Sequence, residues 1–237
     1  MTQIQLGNIV VDVVKKDIKN IHLSVYPPKG RVRISAPQRM NTETIRIFAI
    51  SKISWIKQQQ KKLLAQARET PRDYVDRESH YYKNKRYLLK VIEVDSEPRV
   101  ELRHSELRLY VKPGANKRDR AVLLDDWYRQ QTKSAAETLI EKWEKVIGVE
   151  LNGFVVRKMK TKWGSCTHRL KTIRLNSELI KKPADCLEYI VVHELLHLVE
   201  PTHNARFIKL MNRYMPQWQQ RREMLNSLPV RHDDWGY

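Results

Sequence analysis

Cysteine is almost missing from this sequence. The two present, Cys166 and Cys186, form no C-x-x-C pair, which argues against a disulfide framework and for two reduced thiols with packing or local roles. Long apolar runs are missing too: none approaches the roughly 18 residues of a membrane-spanning helix. The opening stretch "MTQIQLGNIVVDVVKKD" lacks the charged, apolar, small-residue order of a signal peptide. These absences together predict a cytoplasmic protein with no membrane partner. No Gly-rich phosphate loop and no magnesium-binding carboxylate cluster is visible, nor is any internal repeat or low-complexity tract. Acid is scarce: 27 Asp and Glu stand against 45 Lys and Arg, a net charge of +18. Such an excess either attracts polyanions, nucleic acid first, or only solubilises the surface.

The composition is otherwise globular, with 41% hydrophobic residues spread over 237 positions, enough for one good core or two small domains. Residues 1–35 read as strands: "IVVDVV" is an apolar run, while "IHLSVYP" and "GRVRISAP" alternate. Residues 42–68 turn helical, with Thr42 as N-cap and Ile45, Ala49, Ile53, Ile56 and Leu63 at helical spacing. Strands return in "RYLLKVIEV", "RVELR" and "LRLYV". A long helix is expected over 117–147, burying Leu123, Leu124, Trp127, Ala135, Leu139, Trp143 and Ile147. "GVELNGFVVRKM" and "KTIRLN" read as strands flanking a "KWGSC" turn, and from Ala184 the chain is helical, broken at Pro201 and Pro216. The expected class is α+β. A mostly β N-terminal region with one helix (1–115) precedes a second domain (116–237) made of the long connecting helix and an α+β half.

Three of the eight histidines crowd into "VVHELLHLVEPTH", residues 191–203. On a helix, His193 and His197 are one turn apart and project to one side, as two imidazoles gripping one metal must. Glu194, beside the first, can reach a metal-held water rather than the metal. This is the H-E-x-x-H pattern of zinc hydrolases. Pro201 disfavours helix in the residue before it, so the chain can turn back and offer His203 as third ligand. In peptidases with that third histidine the turn usually holds a glycine, where this chain has Glu200. Two alternatives stand beside this assignment: His203 as a surface residue capping the next helix, or Glu200 as the third ligand. Segment 157–174, "RKMKTKWGSCTHRLKTIR", carries seven basic residues and no acid shortly before the cluster.

The chain resembles the YgjP-like metallopeptidases, also called the M48-type family of unknown function 45, with a site similar to SprT-like and Wss1-like zinc proteases; the resemblance implies that the C-terminal α+β half is zincin-like, with an active-site helix and an edge strand. Three blocks carry the likeness: "WGSC" (163–166) with "IRLN" (173–176), "YIVVHELLHL" with "THNARF" within 189–207, and "MPQW" (215–218). Weaker likeness lies in "GRVRISAP", "SKISWI" and "LLDDWYRQ". Near residues 76–85, "DRESHYYKNK" lacks the glycines usual before the central strands.

The expected function is therefore zinc-dependent peptide-bond hydrolysis. One zinc per chain is held by His193, His197 and His203, Glu194 acts as general base, and the substrate is a peptide or protein. "KTIRLN" is the candidate edge strand that pairs with an extended substrate, making Arg174 and Asn176 candidate substrate-binding residues; the alternative is an ordinary core strand. Cys166 as nucleophile is superfluous beside metal-activated water. His168 reads either as an oxyanion stabiliser or as a solvated loop histidine. Two rival functions remain: a metal-dependent hydrolase of a nucleotide or other phosphate compound, and a nucleic-acid-binding module with structural zinc. Weak non-specific nucleic-acid binding is compatible with all three.

Overall fold

The computed structural model describes residues 2–26, 30–65, 69–160 and 162–229. The fold is mixed α+β and divides between Glu69 and Thr70 into two compact units. The division falls there rather than at residue 115, so the strands of 79–111 go with the C-terminal unit.

In the first unit, β1 (Thr2–Leu6), β2 (Ile9–Lys16), β3 (His22–Tyr26) and β4 (Arg31–Pro37) form one sheet in the order β1-β2-β4-β3. The β2–β4 pair is parallel and the outer pairs are antiparallel. Alternation buries Ile4, Leu6, Val11, Val13, Val32 and Ile34 on one face, against Ile45 and Ala49 of α1 (Thr42–Ser51) and Ile56 of α2 (Ile53–Ala65). The expected single helix is thus two, broken at Lys52. Its N-cap is Asn41 instead of Thr42, the Asn41 side chain accepting from the Thr44 amide at 2.7 Å.

The second unit begins with a sheet of the same plan. β5 (Ser79–Tyr82), β6 (Lys85–Glu93), β7 (Arg99–Arg103) and β8 (Glu106–Val111) run in the order β5-β6-β8-β7, again with the middle pair parallel. Each sheet starts with a two-residue hairpin and is followed by a helix with an asparagine cap, Asn41 or Asn116. The structure therefore repeats where no sequence repeat is visible. In the glycine-poor stretch the hairpin residues Lys83 and Asn84 take positive φ, 47° and 63°, the conformation that tight hairpins demand.

Helix α3 (Lys117–Ile147) starts in an Asn116–Asp119 capping box and stops at Gly148, whose φ of 77° provides a left-handed cap. Its fully buried line is Leu124, Tyr128, Thr132, Ala136, Ile140 and Trp143. Of the expected stripe, Leu123, Trp127, Ala135, Leu139 and Ile147 lie only half-buried at its margins. The helix serves two cores: Leu124 and Tyr128 pack with Leu89, Leu107 and Leu109 of the second sheet, while Ala136, Ile140 and Trp143 pack beneath the histidine helix. Thr132 is tolerated there because its hydroxyl donates to the Tyr128 and Ser177 carbonyls.

A third sheet, β10-β11-β9, comprises β9 (Gly153–Arg157), β10 (Gly164–Thr167) and β11 (Thr172–Asn176). A short 3-10 segment, Ser177–Lys181, leads to α4 (Ala184–Leu196), followed by α5 (Ala205–Tyr214) and α6 (Trp218–Ser227). No helix among the described residues is long and apolar enough to cross a membrane.

Candidate metal centre

Helix α4 is buried nearly all round: Leu187, Ile190, Val191, Val192, Leu195 and Leu196 are each at most 6% exposed. His193, Glu194 and His197 face out of this core toward a cleft. The helix ends at Leu196, and the amides of Leu198, Val199 and Glu200 bond back to Leu195 and Leu196 carbonyls. That tightened turn replaces the glycine usually found there and brings the chain round Pro201.

His203 then faces the pair. The three Nε2 atoms stand 2.9 Å (His193–His203), 3.2 Å (His193–His197) and 3.2 Å (His197–His203) apart. Those sides are close to the roughly 3.3–3.4 Å edges of a tetrahedron with metal–nitrogen bonds of ~2.0–2.1 Å. The His197 Nδ1–H donates to the Glu200 carbonyl at 3.0 Å, which turns its Nε2 lone pair into the cluster. Burial, reinforced by the two other histidines and by Arg222, depresses the His193 imidazole to about 3; burial also lowers His197. Neutral imidazoles with converging lone pairs repel one another unless a cation stands among them, so the donor set fits a divalent metal. Among the described residues no fourth His, Cys, Asp or Glu joins the group.

The two alternatives for the turn are not what the structure shows. Asn204, not His203, caps α5 by accepting from the Phe207 amide at 3.0 Å. The Glu200 carboxylate is engaged with the amide and hydroxyl of Thr202, at 3.3 and 2.9 Å. Phe207, unremarked as a site residue in the sequence, lies against all three imidazoles, stacked on His197 at 4.6 Å and edge-on to the other two.

Glu194 is 5% exposed, and burial pushes its carboxyl up to about 8 against the pull of Lys162. The cleft before it has a volume of about 310 Å³ and is lined by Lys162, Gly164, Ser165, Cys166, His168 and Pro201 besides the cluster. At Gly164 a Cβ would stand 2.6 Å from Glu194 Oε1 and 2.9 Å from Ile190 Cγ2, so β10 approaches α4 as closely as only glycine permits.

The strand beside the site differs from the one expected. β11, "TIRLN", is the middle strand, antiparallel to β10 and parallel to β9; of the two outer strands, the one that lines the metal cleft is β10, from the stretch expected to be a turn. Asn176 is 4% exposed and uses its side chain to frame the preceding loop. Its Nδ2 donates to the Met159 and Lys162 carbonyls at 2.9 and 3.0 Å, and its Oδ1 accepts from the Glu178 amide at 3.1 Å. It is thus occupied with its own chain and leaves the substrate-binding set. Arg174 projects from the opposite side of β11 to the buried Ile173 and Leu175 and is exposed. His168 donates from Nδ1 to the His197 carbonyl at 3.1 Å, bracing the end of the histidine helix. Both cysteines are free; burial and the Glu194 charge raise the Cys166 thiol to about 11, which makes it a poor nucleophile at neutral pH.

Three histidines around one point, with a buried carboxylate beside them in a cleft between a helix and an outer strand, make this a metallopeptidase-type site. The chain belongs to the YgjP-like family, whose metallopeptidase-domain model matches residues 19–228, and the family implies a metal ion. Two crystal structures of metallopeptidase zymogens resemble part of it. That of Pyrococcus abyssi abylysin is 21% identical with a TM-score of 0.36, covering 41% of this chain and 99% of its own. That of Methanocaldococcus jannaschii jannalysin is 20% identical with a TM-score of 0.34, covering 38% and 87%. No curated protein matches the chain.

Proposed function

We propose that the protein is a zinc peptidase: His193, His197 and His203 hold one zinc, and Glu194 is the general base for hydrolysis of a peptide bond in a peptide or protein. The convergence of the three Nε2 atoms beside the buried Glu194 carboxylate carries this reading. Zinc on three neutral imidazoles would keep its charge and an open position, polarising a carbonyl and bringing the pKa of its water to near 7. Glu194 takes the proton of the attacking water and returns it to the departing amine. Burial raises the affinity of this carboxyl for a proton, which helps it to hold the proton between the two transfers, while the charge of a bound metal would favour the ionised form that starts the cycle. Phe207 and the Glu200 carbonyl keep the imidazoles oriented, and β10 offers its outer edge to an extended backbone. A purely structural zinc would close with a fourth protein ligand and has no use for Glu194. The two free thiols accord with a reducing, cytoplasmic setting.

The test pairs metal content with hydrolysis. Glu194→Gln is expected to keep about one zinc per chain and lose about 10²–10⁴-fold in kcat. His203→Ala is expected to lose metal affinity as well as activity. Full activity in the first variant removes Glu194 as base, and unchanged zinc affinity in the second removes His203 as ligand.

A further inference from the structure

We propose that the outward face of the third sheet, at Arg157, Arg174 and the neighbouring Lys162, is a subsite that selects an acidic side chain of a peptide lying along β10. The inference rests on the peptidase reading and deepens it by naming a substrate class.

β10 is a wall between two cavities. Gly164, Ser165 and Cys166 line the metal cleft, and Ser165 and Cys166 also line a second cavity of about 580 Å³. Lys162 lines both. The second cavity is completed by Arg157, Lys158, Met159, Lys160 and Arg174, and no acid is among the described residues of its lining.

Strand alternation says which substrate positions meet this charge. Gly164 and Cys166 pair with Leu175 and Ile173, both fully buried, whereas Ser165 pairs with the exposed Arg174. Val155 and Arg157 share that outward side, through their pairing with Arg174 and Asn176. A peptide added to the edge of β10 inherits the alternation. One side chain turns toward α4 and the histidines, and its neighbour lies over Ser165 and Arg174. Lys158 is paired with Asp125 of α3 at 3.5 Å, so the charge that counts is that of Arg157, Lys162 and Arg174.

The opposite end of the cleft is different. His168 connects it to a third cavity, of about 540 Å³, lined by Glu144, Glu150, Lys145 and Lys171, where two acids balance two bases. The preference for acid is therefore confined to the flank of Lys162. A nucleic acid would also be drawn to this charge, but the basic cavity has no aromatic lining residue on which a base could stack. The outer edge of β10 offers both amides and carbonyls: a peptide backbone pairs both, whereas phosphates can accept from the amides but have no donor for the carbonyls.

The test uses the full-length zinc-loaded Glu194→Gln protein and three fluorescent probes: a short peptide with Glu at alternate positions, the same peptide with Gln, and an oligothymidylate of similar length. The Glu peptide is expected to bind roughly tenfold more tightly than the Gln peptide, with the difference shrinking as salt is raised. The added pair Arg157→Glu and Arg174→Glu should reverse the order; should that pair unfold the protein, Arg174→Gln alone should still narrow the gap. Equal binding of the two peptides overturns the proposal. So does a preference that survives the substitutions, or an oligothymidylate that binds more tightly and displaces the Glu peptide. Wild-type protein is assayed for cleavage of the same peptides in parallel. Selective binding without cleavage of any peptide would sink the peptidase reading while the acidic subsite stands.

Discussion

At Gly164 the requirement is space rather than backbone freedom. A methyl there would meet Glu194 Oε1 at 2.6 Å and Cγ at 2.8 Å, so either the carboxylate or the strand must give way. Gly164→Ala is predicted to keep its zinc and to lose about ten- to a hundredfold in kcat, the size of effect that sub-ångström misplacement of a reacting group produces. Zinc analysis alongside peptide hydrolysis checks it; an unchanged kcat would mean the carboxylate has room to spare. The contrast with the histidines shows what a sequence exposes at this scale. His193 and His197 are related by the helix period, and His203 by a short proline turn, so their meeting is a local affair. Gly164 earns its identity only by touching another element, and nothing in "WGSC" says which. Asn176 misleads for the same reason. Polar and two residues after Arg174 in a strand, it reads as exposed, yet its amide is bound to the Met159 and Lys162 carbonyls.

Elements are legible from periodicity, and their neighbours are not. "TIRLN" alternates as a strand at an edge does, but its Ile173 and Leu175 face one core while β9 and β10 flank it on both sides. The outer strand beside the cleft, "GSCT", is too short and too rich in small residues to alternate visibly. Helix contacts are anchored by another group that periodicity hides. Glu188 of α4 accepts from Lys142 at 2.8 Å and Trp143 at 3.0 Å, both on α3, and from Arg221 of α6 at 2.7 Å. Burial alone would push its carboxyl up, but the hydrogen bonds from Lys142, Arg221 and Trp143 outweigh it and hold the group at about 2. A depressed carboxylate stabilises the fold above its unfolded value of about 4.3, and this contribution is lost as pH falls toward 2. In the metal-free protein, Glu188→Gln should therefore cost on the order of 1–3 kcal/mol at neutral pH and make little difference near pH 2. Melting temperatures of both proteins across that window decide it; parallel curves would mean the three donors do not act through the charge.

For the whole molecule, the second sheet settles what must stay with the metal site. The histidine core and the β5–β8 sheet meet through α3 and the 3-10 segment that delivers the chain to α4. Ile180 is buried in the sheet's own core beside Leu89, Leu109 and Tyr128. The amides of Lys83 and Asn84, at the tip of the β5–β6 hairpin, donate to the Ile180 and Lys181 carbonyls at 2.8 and 3.1 Å. Tyr128 of α3 donates its hydroxyl to the Tyr81 carbonyl at 2.9 Å. A division at residue 115 follows composition, because there a strand-rich stretch gives way to a long helix. The packing ignores that change and divides at Glu69 instead. Two truncations separate the possibilities. A chain beginning at Thr70 keeps both cores of its unit intact and is predicted to unfold cooperatively and to bind about one zinc. A chain beginning at Asn116 strips Leu89, Leu107 and Leu109 from Leu124, Tyr128 and Ile180. Several large side chains at about 1.5–3 kcal/mol each exceed what a domain of marginal stability can lose. It is predicted to aggregate or to lack a cooperative melt, and to hold zinc poorly because metal binding and folding are coupled. Circular dichroism melts with zinc content for both chains give the answer. A well-folded, zinc-binding chain from Asn116 would show that α3 and the histidine helix form a domain without the sheet.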